Sequence, residues 1–579
     1  MSELYQVKVP DLGDFKDIEV VEVLVKVGDE VKKDQSIIVI ESEKATMDVP
    51  SPESGVVEKL YVQVGSKVQK GFPILSLRLS EGRAAPPSPV AAEAPSAPVA
   101  VSPSAPLPKA PPPAGISVSR RVRLAVLGGG PGGYEAAIRT GQLGIETLLV
   151  ERSGPGTGIG GVCLHSGCIP SKALIDTAHH LHHVRELEER GVSVLGEIRV
   201  DLKKLQQWKR GIIDKLRSYI EQAVQGAGAK IQKGEGRLLS PNHLEITDGG
   251  KKEVVEFENL IVATGSRAIE LPGLSFDGKT VLDARAALDL EEVPRWLVVV
   301  GGGYIGLELG IAFKKLGAKV TVVELQNQLL PGGDEALARP LARRLQQLGV
   351  EVHLGAKVEK FVSGMAHVSK AGSTFEIPAS HLLVAVGRRP NTEKIGLDAA
   401  GVQVDPKGFI PASEKKQTNV SHIYAIGDVT HGPALAHKAS AEGVVAAEVI
   451  GGLPAAFDNK AIPAVVFTDP ELSYVGMNDA EAKNAGFSPK SITVPNRGLG
   501  RAMAAGESEG FARLTYDENS GALLGAALAG GPATDMIGGL GALVEMGANI
   551  EDLSLTIFPH PTFSEQAMIA AQRVAHKKK

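Results

Sequence analysis

Two cysteines, Cys163 and Cys168, lie five positions apart in the segment GGVCLHSGCIPSK, and the chain of 579 residues has no others. Two thiols are too few for a framework of several disulfides or for a zinc site of four thiolates. In a reducing compartment, a close pair indicates a disulfide that opens and closes during catalysis, a metal site that recruits His165, or two inert buried thiols. The metal alternative has an unusual ligand spacing, and we expect no metal.

A glycine-rich loop precedes the cysteines in RVRLAVLGGGPGGYEAAIRTGQLGIETLLVE. A hydrophobic strand leads into Gly128, Gly130 and Gly133, a helix begins near Tyr134, and a second strand ends at Glu151. The glycines let the backbone approach a pyrophosphate at the helix N-terminus, and the acid accepts a hydrogen bond from a ribose hydroxyl. The complete strand–helix–strand pattern predicts a dinucleotide-binding fold.

The same pattern recurs in WLVVVGGGYIGLELGIAFKKLGAKVTVVE, with Gly301, Gly303 and Gly306 and a strand that ends at Glu324. The chain is therefore expected to bind two dinucleotides. LQNQ follows Glu324 without a nearby arginine, which favours a free ribose 2′-hydroxyl and hence NAD over NADP. Two such units without a ligand are the alternative interpretation.

The first 80 residues contain an internal repeat, in which residues 25–40 align with residues 62–77 at an offset of 37 and Gly28 aligns with Gly65. Valine or isoleucine alternates with polar residues around each glycine, which predicts short strands in two similar sheets packed face to face. Lys44, in ESEKATMDV, lies near the tip of a connection between two of these strands.

The repeat and its lysine resemble the lipoyl domain of 2-oxo acid dehydrogenase complexes. The resemblance implies that Lys44 carries a lipoyl group in amide linkage. Biotin carriers share the fold but typically have methionine on both sides of the lysine, and neither neighbour of Lys44 is methionine. An ordinary solvated lysine is the alternative.

A proline-rich segment follows this module, since 11 of the 31 residues from 84 to 114 are proline. Such a composition does not build a core, and polyproline II rises ~3.1 Å per residue, so we expect a tether of up to roughly 100 Å. The net charge of −5 provides no basic field for nucleic acid. Without an apolar run of about 18 residues or a basic and apolar leader, we expect a cytoplasmic protein with no membrane span.

Several motifs together resemble the pyridine nucleotide-disulfide oxidoreductases, and within that family the dihydrolipoamide dehydrogenase branch best. They occur in the family's order from about residue 120 onward: GGGPGGYEAA, GGVCLHSGCIPSK, VATGS (262–266), GGGYIGLE, VGRRPN (386–391), AIGDV (425–429) and HPTFSE (560–565). The resemblance implies FAD on the first glycine loop, NAD on the second and a Cys163–Cys168 redox disulfide. It implies reoxidation of protein-bound dihydrolipoyl groups with reduction of NAD, in a 2-oxo acid dehydrogenase complex such as pyruvate dehydrogenase.

The resemblance also implies a role for each reacting group. Cys163 exchanges with the substrate dithiol, and Cys168 lies against the flavin. His560 is the base and Glu565 orients its imidazole, whereas an isolated histidine there would be solvated or a core hydrogen-bond donor. The family architecture places His560 of one subunit opposite Cys163 of the other, which requires a homodimer.

Further family contacts map onto this chain residue by residue. Lys172 and Glu308 correspond to an ion pair near flavin N5, with an ion pair on a helix surface as the alternative. Asp428 corresponds to the contact with the flavin ribityl chain. The remaining cofactor contacts are expected at Thr264, Gly265, Gly387 and Gly427.

Two features lie outside the family pattern. His165, Ser166 and Phe558 differ from the residues common in the family, and their effect on rate or potential stays open. HHLHH places His179 and His183 on one helical face, where a metal site is conceivable, but we expect a solvated, exposed helix.

We therefore expect a multidomain chain. Its expected parts are an all-β lipoyl-like sandwich at 1–80, a Pro/Ala-rich flexible linker at 81–118, an α/β flavoprotein with a FAD-binding domain at 119–270 and an NAD-binding domain at 271–393, a central domain completing the FAD site at 394–462, and an α+β dimerisation domain at 463–579. The expected partners are a second copy and a dihydrolipoamide acyltransferase with its lipoyl domains.

Three other functions would use some of the same motifs. Glu324 argues against an NADP-specific glutathione reductase, and a mercuric reductase would need a C-terminal cysteine pair that this sequence lacks. Neither enzyme accounts for Lys44. The remaining rival is a lipoyl carrier or assembly hub whose flavin-binding body serves only for docking.

Overall fold

The structure is a computed structural model that describes residues 4–8, 18–31, 35–42, 45–68, 72–79, 117–152, 154 and 157–576. The chain divides into two compact units, Met1–Ala97 and Pro98–Lys579. Lys44 and residues 81–116 of the expected linker lie outside the described residues.

The N-terminal unit is a β-sandwich. Its strands are β1 (Leu4–Lys8), β2 (Ile18–Val23), β3 (Glu30–Val31), β4 (Ser36–Ser42), β5 (Ala45–Pro50), β6 (Gly55–Leu60), β7 (Lys67–Val68) and β8 (Pro73–Leu79). They form two sheets, in the orders β1-β8-β6-β3 and β5-β4-β2-β7. Side chains from both sheets, including Val20, Ile38, Leu75 and Leu77, share one buried core. The lipoyl-like sandwich is confirmed.

The internal repeat is visible in the strand bounds. β2, β3 and β4 recur 37 residues later as β6, β7 and β8. The turns before β3 and β7 contain Gly28 and Gly65, each with a positive φ, of 98° and 87°. The two halves of the sequence therefore build the same strands in opposite sheets.

The second unit begins with a mixed sheet and four helices. In chain order these are β9 (Arg120–Leu127), α1 (Pro131–Gln142), β10 (Thr147–Glu151), α2 (Gly161–Ser166), α3 (Cys168–Glu186), α4 (Leu202–Gly226), β11 (Lys230–Lys233), β12 (Glu235–Ser240), β13 (His243–Asp248) and β14 (Lys251–Val262). The strand order is β11-β10-β9-β14-β13-β12, and β9 pairs in parallel with β10 and β14. The carboxyl ends of these parallel strands form the edge at which ligands bind in such sheets.

A second parallel sheet follows. Its segment consists of β15 (Ser266–Ala268), β16 (Val281–Leu282), α5 (Ala284–Leu288), β17 (Trp296–Val300), α6 (Tyr304–Leu316), β18 (Lys319–Glu324), α7 (Glu335–Gln347), β19 (Glu351–Leu354), β20 (Ala356–Val362), β21 (Met365–Lys370), β22 (Ser373–Pro378), β23 (His381–Val384) and β24 (Arg388–Pro390). The parallel sheet has the order β16-β23-β17-β18-β19, and β20, β21 and β22 form an antiparallel meander.

The remaining segment completes the first sheet and builds a third one. It contains β25 (Ile423–Ala425), α8 (Ala436–Ile450), β26 (Ala464–Val466), β27 (Leu472–Gly476), α9 (Asp479–Asn484), β28 (Pro489–Pro495), α10 (Gly500–Ala505), β29 (Phe511–Asp517), β30 (Leu523–Ala529), α11 (Ala533–Glu545), α12 (Ile550–Leu555) and α13 (Glu565–Ala575). β25 pairs in parallel with β14, and the last strands form an antiparallel sheet in the order β26-β27-β30-β29-β28. Among the described residues, no helix has the length and apolar character that a membrane crossing requires.

Candidate active site

The first glycine loop joins β9 to α1 at the carboxyl edge of the first sheet. Gly128 has a φ of +112°, and a Cβ at Gly133 would overlap the carbonyl oxygen of Gly128. Glu151, at the end of β10, accepts a hydrogen bond from the Gly129 amide. Burial raises the pKa of Glu151 to about 7. The helix N-terminus and the acid thus meet at one loop, as a dinucleotide requires.

The second glycine loop repeats this geometry between β17 and α6. Gly301 has a φ of +108°, and Glu324 at the end of β18 accepts a hydrogen bond of 2.5 Å from the Gly302 amide. The second carboxylate oxygen of Glu324 accepts from the Gln326 amide at 2.6 Å. A Cβ at Gly306 would approach the Gly301 carbonyl oxygen to 2.6 Å. Both predicted loops therefore have the dinucleotide-binding arrangement.

The two cysteines lie at a break between two helices. α2 carries Cys163 and ends at Ser166, and α3 begins at Cys168 after Gly167. Both cysteines are free thiols in this structure. Their side chains are hydrogen-bonded to each other. The spacing of five positions has therefore brought the sulfurs together.

The two thiols differ in acidity. The hydrogen bond from Cys163 lowers the pKa of Cys168 to about 7, and the positive charge of Lys172 acts in the same direction. The same hydrogen bond raises the pKa of Cys163. When one thiol of the pair ionises, the negative charge is therefore on Cys168 and the proton stays on Cys163.

A lysine–carboxylate pair flanks the thiols. Lys172 Nζ lies 2.8 Å from Glu308 Oε2, and the Glu308 side chain is only 5% exposed. The other oxygen of Glu308 accepts a hydrogen bond from the Phe467 amide at 2.9 Å, and Lys172 Nζ lies 4.2 Å from the centre of the Phe467 ring. The pair joins α3 to α6, so it is not an ion pair on the surface of a single helix.

These groups share one cavity of about 250 Å³. The expected site residues that line it are Gly128, Gly130, Glu151, Cys163, Cys168, Lys172, Thr264, Gly265, Glu308, Gly427 and Asp428. The cavity runs from a helix N-terminus and an acid to a thiol pair beside a lysine. This donor set fits FAD, because the nucleotide end meets amides and a carboxylate and the reactive end meets the thiols.

The other expected cofactor residues lie behind or beside this cavity. Gly133 packs against the first glycine loop, and Glu324 is hydrogen-bonded to the second glycine loop. Gly387, with a φ of +129°, lies between β23 and β24, close to the carboxyl edge of the second sheet. The residues expected to contact NAD thus lie outside the cavity lined by the residues expected to contact FAD.

Sequence reasoning missed several polar residues of the cavity. Ser266 Oγ donates to Asp428 Oδ2 at 2.5 Å and accepts a hydrogen bond from Arg388 Nε at 2.7 Å. Tyr304 and Asn391 also line the cavity. Ser266, Arg388 and Asn391 stand within the VATGS and VGRRPN motifs, so a closer reading of those motifs would have found them.

The candidate base and its carboxylate form a pair in the C-terminal domain. His560 Nδ1 lies 2.7 Å from Glu565 Oε2; the histidine side chain is 76% exposed and the glutamate side chain 8%. Glu565 also accepts a hydrogen bond from the Thr562 amide at 3.2 Å. No described residue beyond Ala439 lines the thiol cavity, so His560 is not part of its wall within one chain.

The histidine cluster on α3 differs from the expected solvated helix. Lys315, whose side chain is 2% exposed, donates to His179 Nδ1 at 3.0 Å and lies 2.8 Å from Asp469. Because lysine only donates, His179 uses its Nε2–H towards His183 Nε2, 2.6 Å away. Burial, with the charge of Lys315, lowers the pKa of His179 to about 4.

The network of His179, Lys315 and Asp469 also includes Arg344 and Glu186. Arg344 on α7 lies 2.9 Å from Asp469 and 3.1 Å from Glu186 at the end of α3. The described residues contain no group of three or more metal-ligating side chains. The positive charge of Lys315 repels a metal cation from His179. The histidines instead belong to an ion-pair network.

Three family models match the chain. Residues 122–443 match the pyridine nucleotide-disulphide oxidoreductase family, and residues 462–571 match the dimerisation domain of that family. Residues 5–77 match the model described as biotin-requiring enzyme. The two oxidoreductase matches cover the two sites and the candidate base.

Curated relatives align with most of the second unit. A dihydrolipoyl dehydrogenase of Haloferax volcanii is 43% identical over 464 residues, which cover 79% of this chain and 96% of that protein. A dihydrolipoyl dehydrogenase of Geobacillus stearothermophilus is 43% identical over 451 residues, covering 77% and 95%. A dihydrolipoyl dehydrogenase of Bacillus subtilis is 40% identical over 452 residues, also covering 77% and 95%.

Solved structures have the same fold. LpdA from Mycobacterium tuberculosis superposes with a TM-score of 0.72 and 27% identity, covering 78% of this chain and 99% of that chain. The HOCl-induced flavoprotein disulfide reductase RclA from Escherichia coli superposes with a TM-score of 0.69 and 26% identity, covering 78% and 100%.

Proposed function

Because the chain belongs to the pyridine nucleotide-disulphide oxidoreductases, we propose that it reoxidises protein-bound dihydrolipoyl groups through Cys163 and Cys168 and reduces NAD to NADH. It has the dihydrolipoyl dehydrogenase activity of the relatives that align with most of its length. The observation that supports this use of the cysteines is their position in the cavity that begins at the first glycine loop.

The cofactors are FAD, NAD and a covalent lipoyl group. When bound, FAD supplies the isoalloxazine ring that takes an electron pair from the thiols and gives it to NAD as hydride. In this proposal the FAD contacts are Gly128, Gly130, Gly133, Glu151, Lys172, Thr264, Gly265, Gly427 and Asp428. The NAD contacts are Gly301, Gly303, Gly306, Glu324 and Gly387.

The exchange step follows from the unequal acidity of the thiols. A thiolate of the substrate attacks the sulfur of Cys163 in the oxidised pair, and Cys168 leaves as the thiolate, since its pKa is the lower one. The second thiol of the substrate then displaces Cys163, so the substrate leaves as a disulfide. Lys172 stabilises the negative charge on Cys168, and Glu308 holds Lys172 in place.

The proton of the attacking thiol needs a base. We assign this role to His560, whose Nδ1 is held by Glu565 and whose Nε2 is left for the substrate. The chain forms a homodimer, and His560 of the partner subunit completes the site that contains Cys163. A monomer is therefore expected to bind FAD without turning over the dithiol.

The N-terminal unit provides the swinging arm. We propose that Lys44 is the lipoylated residue and that residues 81–118 form the linker between this unit and the FAD-binding (119–270), NAD-binding (271–393), central (394–462) and dimerisation (463–579) domains. A linker that spans the distance between the arm and the site raises their effective concentration to the millimolar range. The expected setting is a cytoplasmic 2-oxo acid dehydrogenase complex, in which a dihydrolipoamide acyltransferase supplies further lipoyl domains.

The decisive test compares the full chain with its Cys163→Ser variant. The wild type is expected to reduce NAD with free dihydrolipoamide, and the variant to lose at least about 10³-fold in rate while keeping FAD. A variant that turned over at the wild-type rate would contradict the role of Cys163. Intact mass measurement of the wild type against Lys44→Arg tests the lipoyl site, because only the wild type should carry the added lipoyl mass.

A further inference from the structure

Three buried charged side chains lie behind the turn that presents Asp428 to the thiol cavity. Lys438 and Glu442 are four positions apart on α8, and Lys416 precedes β25. Lys438 Nζ lies 3.2 Å from Glu442 Oε2, and Lys416 Nζ lies 3.1 Å from Glu442 Oε1. The side chains of Lys438 and Glu442 are 2% and 1% exposed. These three residues are called the Lys–Glu–Lys cluster.

The stability of the fold alone does not account for this cluster. Taking charges out of water costs free energy, and apolar side chains of the same volume often replace a buried ion pair without a loss of stability. The cluster also does not belong to the cavity wall, which α8 reaches through Ala436 and Ala439 instead. Its contacts with the backbone indicate what the charges do.

The cluster binds both backbone groups of Gly427. The Gly427 amide donates to Glu442 Oε2 at 2.7 Å, and the Gly427 carbonyl oxygen accepts from Lys438 Nζ at 3.1 Å. Lys438 Nζ also donates to Thr430 Oγ1 at 3.0 Å, directly after the short 3₁₀ turn Gly427–Val429. Two charged side chains of α8 therefore hold this turn at both of its ends.

The turn has a conformation that costs free energy to maintain. Gly427 has a φ of +73°, and a Cβ there would approach the Cβ of Ala439 to 3.2 Å. Glycine loses more conformational freedom on folding than any other residue, so its turn needs strong contacts. Hydrogen bonds to charged groups are about twice as strong as neutral ones. The cluster thus fixes the backbone of the turn, while Ser266 binds the carboxylate of Asp428.

We propose that Lys438 and Glu442 are positioning residues for FAD binding, which hold the turn Gly427–Val429 in the conformation that places Asp428 at the cavity. This inference rests on the proposed function, because it concerns the FAD contact that is assigned there to Asp428. A contact that is held in place before binding loses less entropy when the ligand arrives. Since neither side chain lines the cavity, both act on FAD only through the turn.

The test uses the full chain purified with its FAD. Lys438→Met removes the ammonium group and keeps an unbranched side chain. Lys315→Met is the matched control, because Lys315 is also 2% exposed and paired with a carboxylate, but lies outside the cavity wall. The rate at which diluted holoenzyme releases FAD is followed by flavin fluorescence, and denaturant unfolding is measured in parallel. Asp428→Asn, alone and together with Lys438→Met, completes a double-mutant cycle.

Lys438→Met is expected to accelerate FAD release about ten-fold. Lys315→Met should lower the stability of the fold but leave FAD release within about two-fold of the wild type. In the Asp428→Asn background, Lys438→Met should accelerate release by less than about two-fold, because the contact through which it acts is already lost. If Lys438→Met does not fold, Glu442→Gln replaces it; this variant keeps an oxygen for the Gly427 amide and should accelerate release about three-fold.

Three results would overturn the positioning role. These are wild-type FAD release in the Lys438→Met or Glu442→Gln protein, equal acceleration by Lys315→Met, and a full ten-fold effect of Lys438→Met in the Asp428→Asn background. The last two would show that the cluster acts through general stability and not through Asp428. A wild-type chain that held FAD but did not reduce NAD with free dihydrolipoamide would instead reject the proposed function.

Discussion

The helices α3 and α6 are joined at one end by the pair Lys172–Glu308 and at the other by the network of Lys315 with His179 and Asp469. In both places a lysine Nζ lies 2.8 Å from a carboxylate oxygen. Lys172 is 32% exposed and faces the thiol cavity, whereas Lys315 is 2% exposed. We therefore propose that the same kind of ion pair serves the reaction where its cation reaches a cavity, and holds helices together where its cation is buried.

The comparison predicts that substitutions at the Lys172–Glu308 pair lower the reaction rate, whereas substitutions in the Lys315 network lower the stability of the fold. Lys172→Met should reduce the rate of NAD reduction on the order of 10²-fold, because the charge that favours the Cys168 thiolate is lost. The pKa of Cys168 should then rise above its value of about 7. The pH dependence of alkylation of the reduced protein measures this shift. If the pKa of Cys168 were unchanged from the wild type, Lys172 would have no effect on the thiolate, and this prediction would be wrong.

Asp469→Asn tests the buried network around Lys315. The substitution leaves Lys315 and Arg344 without their shared carboxylate, and breaking a buried pair in this way costs about 3–5 kcal/mol of the free energy of unfolding. Denaturant unfolding measures this loss. The fraction that stays folded should keep the wild-type rate per bound FAD, and a selective loss of rate without a loss of stability would show that the network acts on the chemistry.

Arg344→Lys is expected to have a smaller effect at the same end. Arg344 contacts both Asp469 and Glu186, and lysine cannot reproduce two such contacts from one planar group. We expect a loss of about 1 kcal/mol in the same unfolding measurement. Lys360→Arg, on an exposed strand position, is the matched control and should be neutral.

The smallest effect is expected from His179, and only in acid. Its pKa is lowered to about 4 in the folded chain, below the ordinary value of 6.5, so folding favours the neutral ring. This contribution is complete above about pH 6.5 and is lost as the pH falls through about 4. Melting temperatures of wild type and His179→Asn should therefore differ most at neutral pH and converge in acid. If the difference in melting temperature grew as the pH fell, the lowered pKa of His179 would be contradicted.

The two ends also show how far sequence reasoning reached. Lys172 and Glu308 were assignable because each stands at a fixed place in a motif, next to Cys168 or within the second glycine helix. The contact between Arg344 and Asp469 has no such signal, because it joins residues 125 positions apart on elements of different domains. Local patterns define a strand or helix and one of its faces, but they do not specify which distant side chain meets that face.

The site shows the same division. The family resemblance, rather than the spacing alone, implied that Cys163 and Cys168 pair, and their side chains meet across the break between α2 and α3. The resemblance also implied that Glu565 orients His560, and His560 Nδ1 lies 2.7 Å from Glu565 Oε2 at the start of α13. The approach of His560 to Cys163 of the partner subunit stays a prediction, because His560 does not line the thiol cavity of its own chain.

The offset of 37 residues in the N-terminal unit makes the ends of two strands equivalent. β4 ends at Ser42, two positions before Lys44, and its counterpart β8 ends at Leu79, where the chain continues towards the catalytic unit. The two strand ends are equivalent by the repeat but belong to different sheets. The connection that contains Lys44 and the segment that follows Leu79 therefore start from different sheets of the sandwich, although the repeat makes their starting points equivalent.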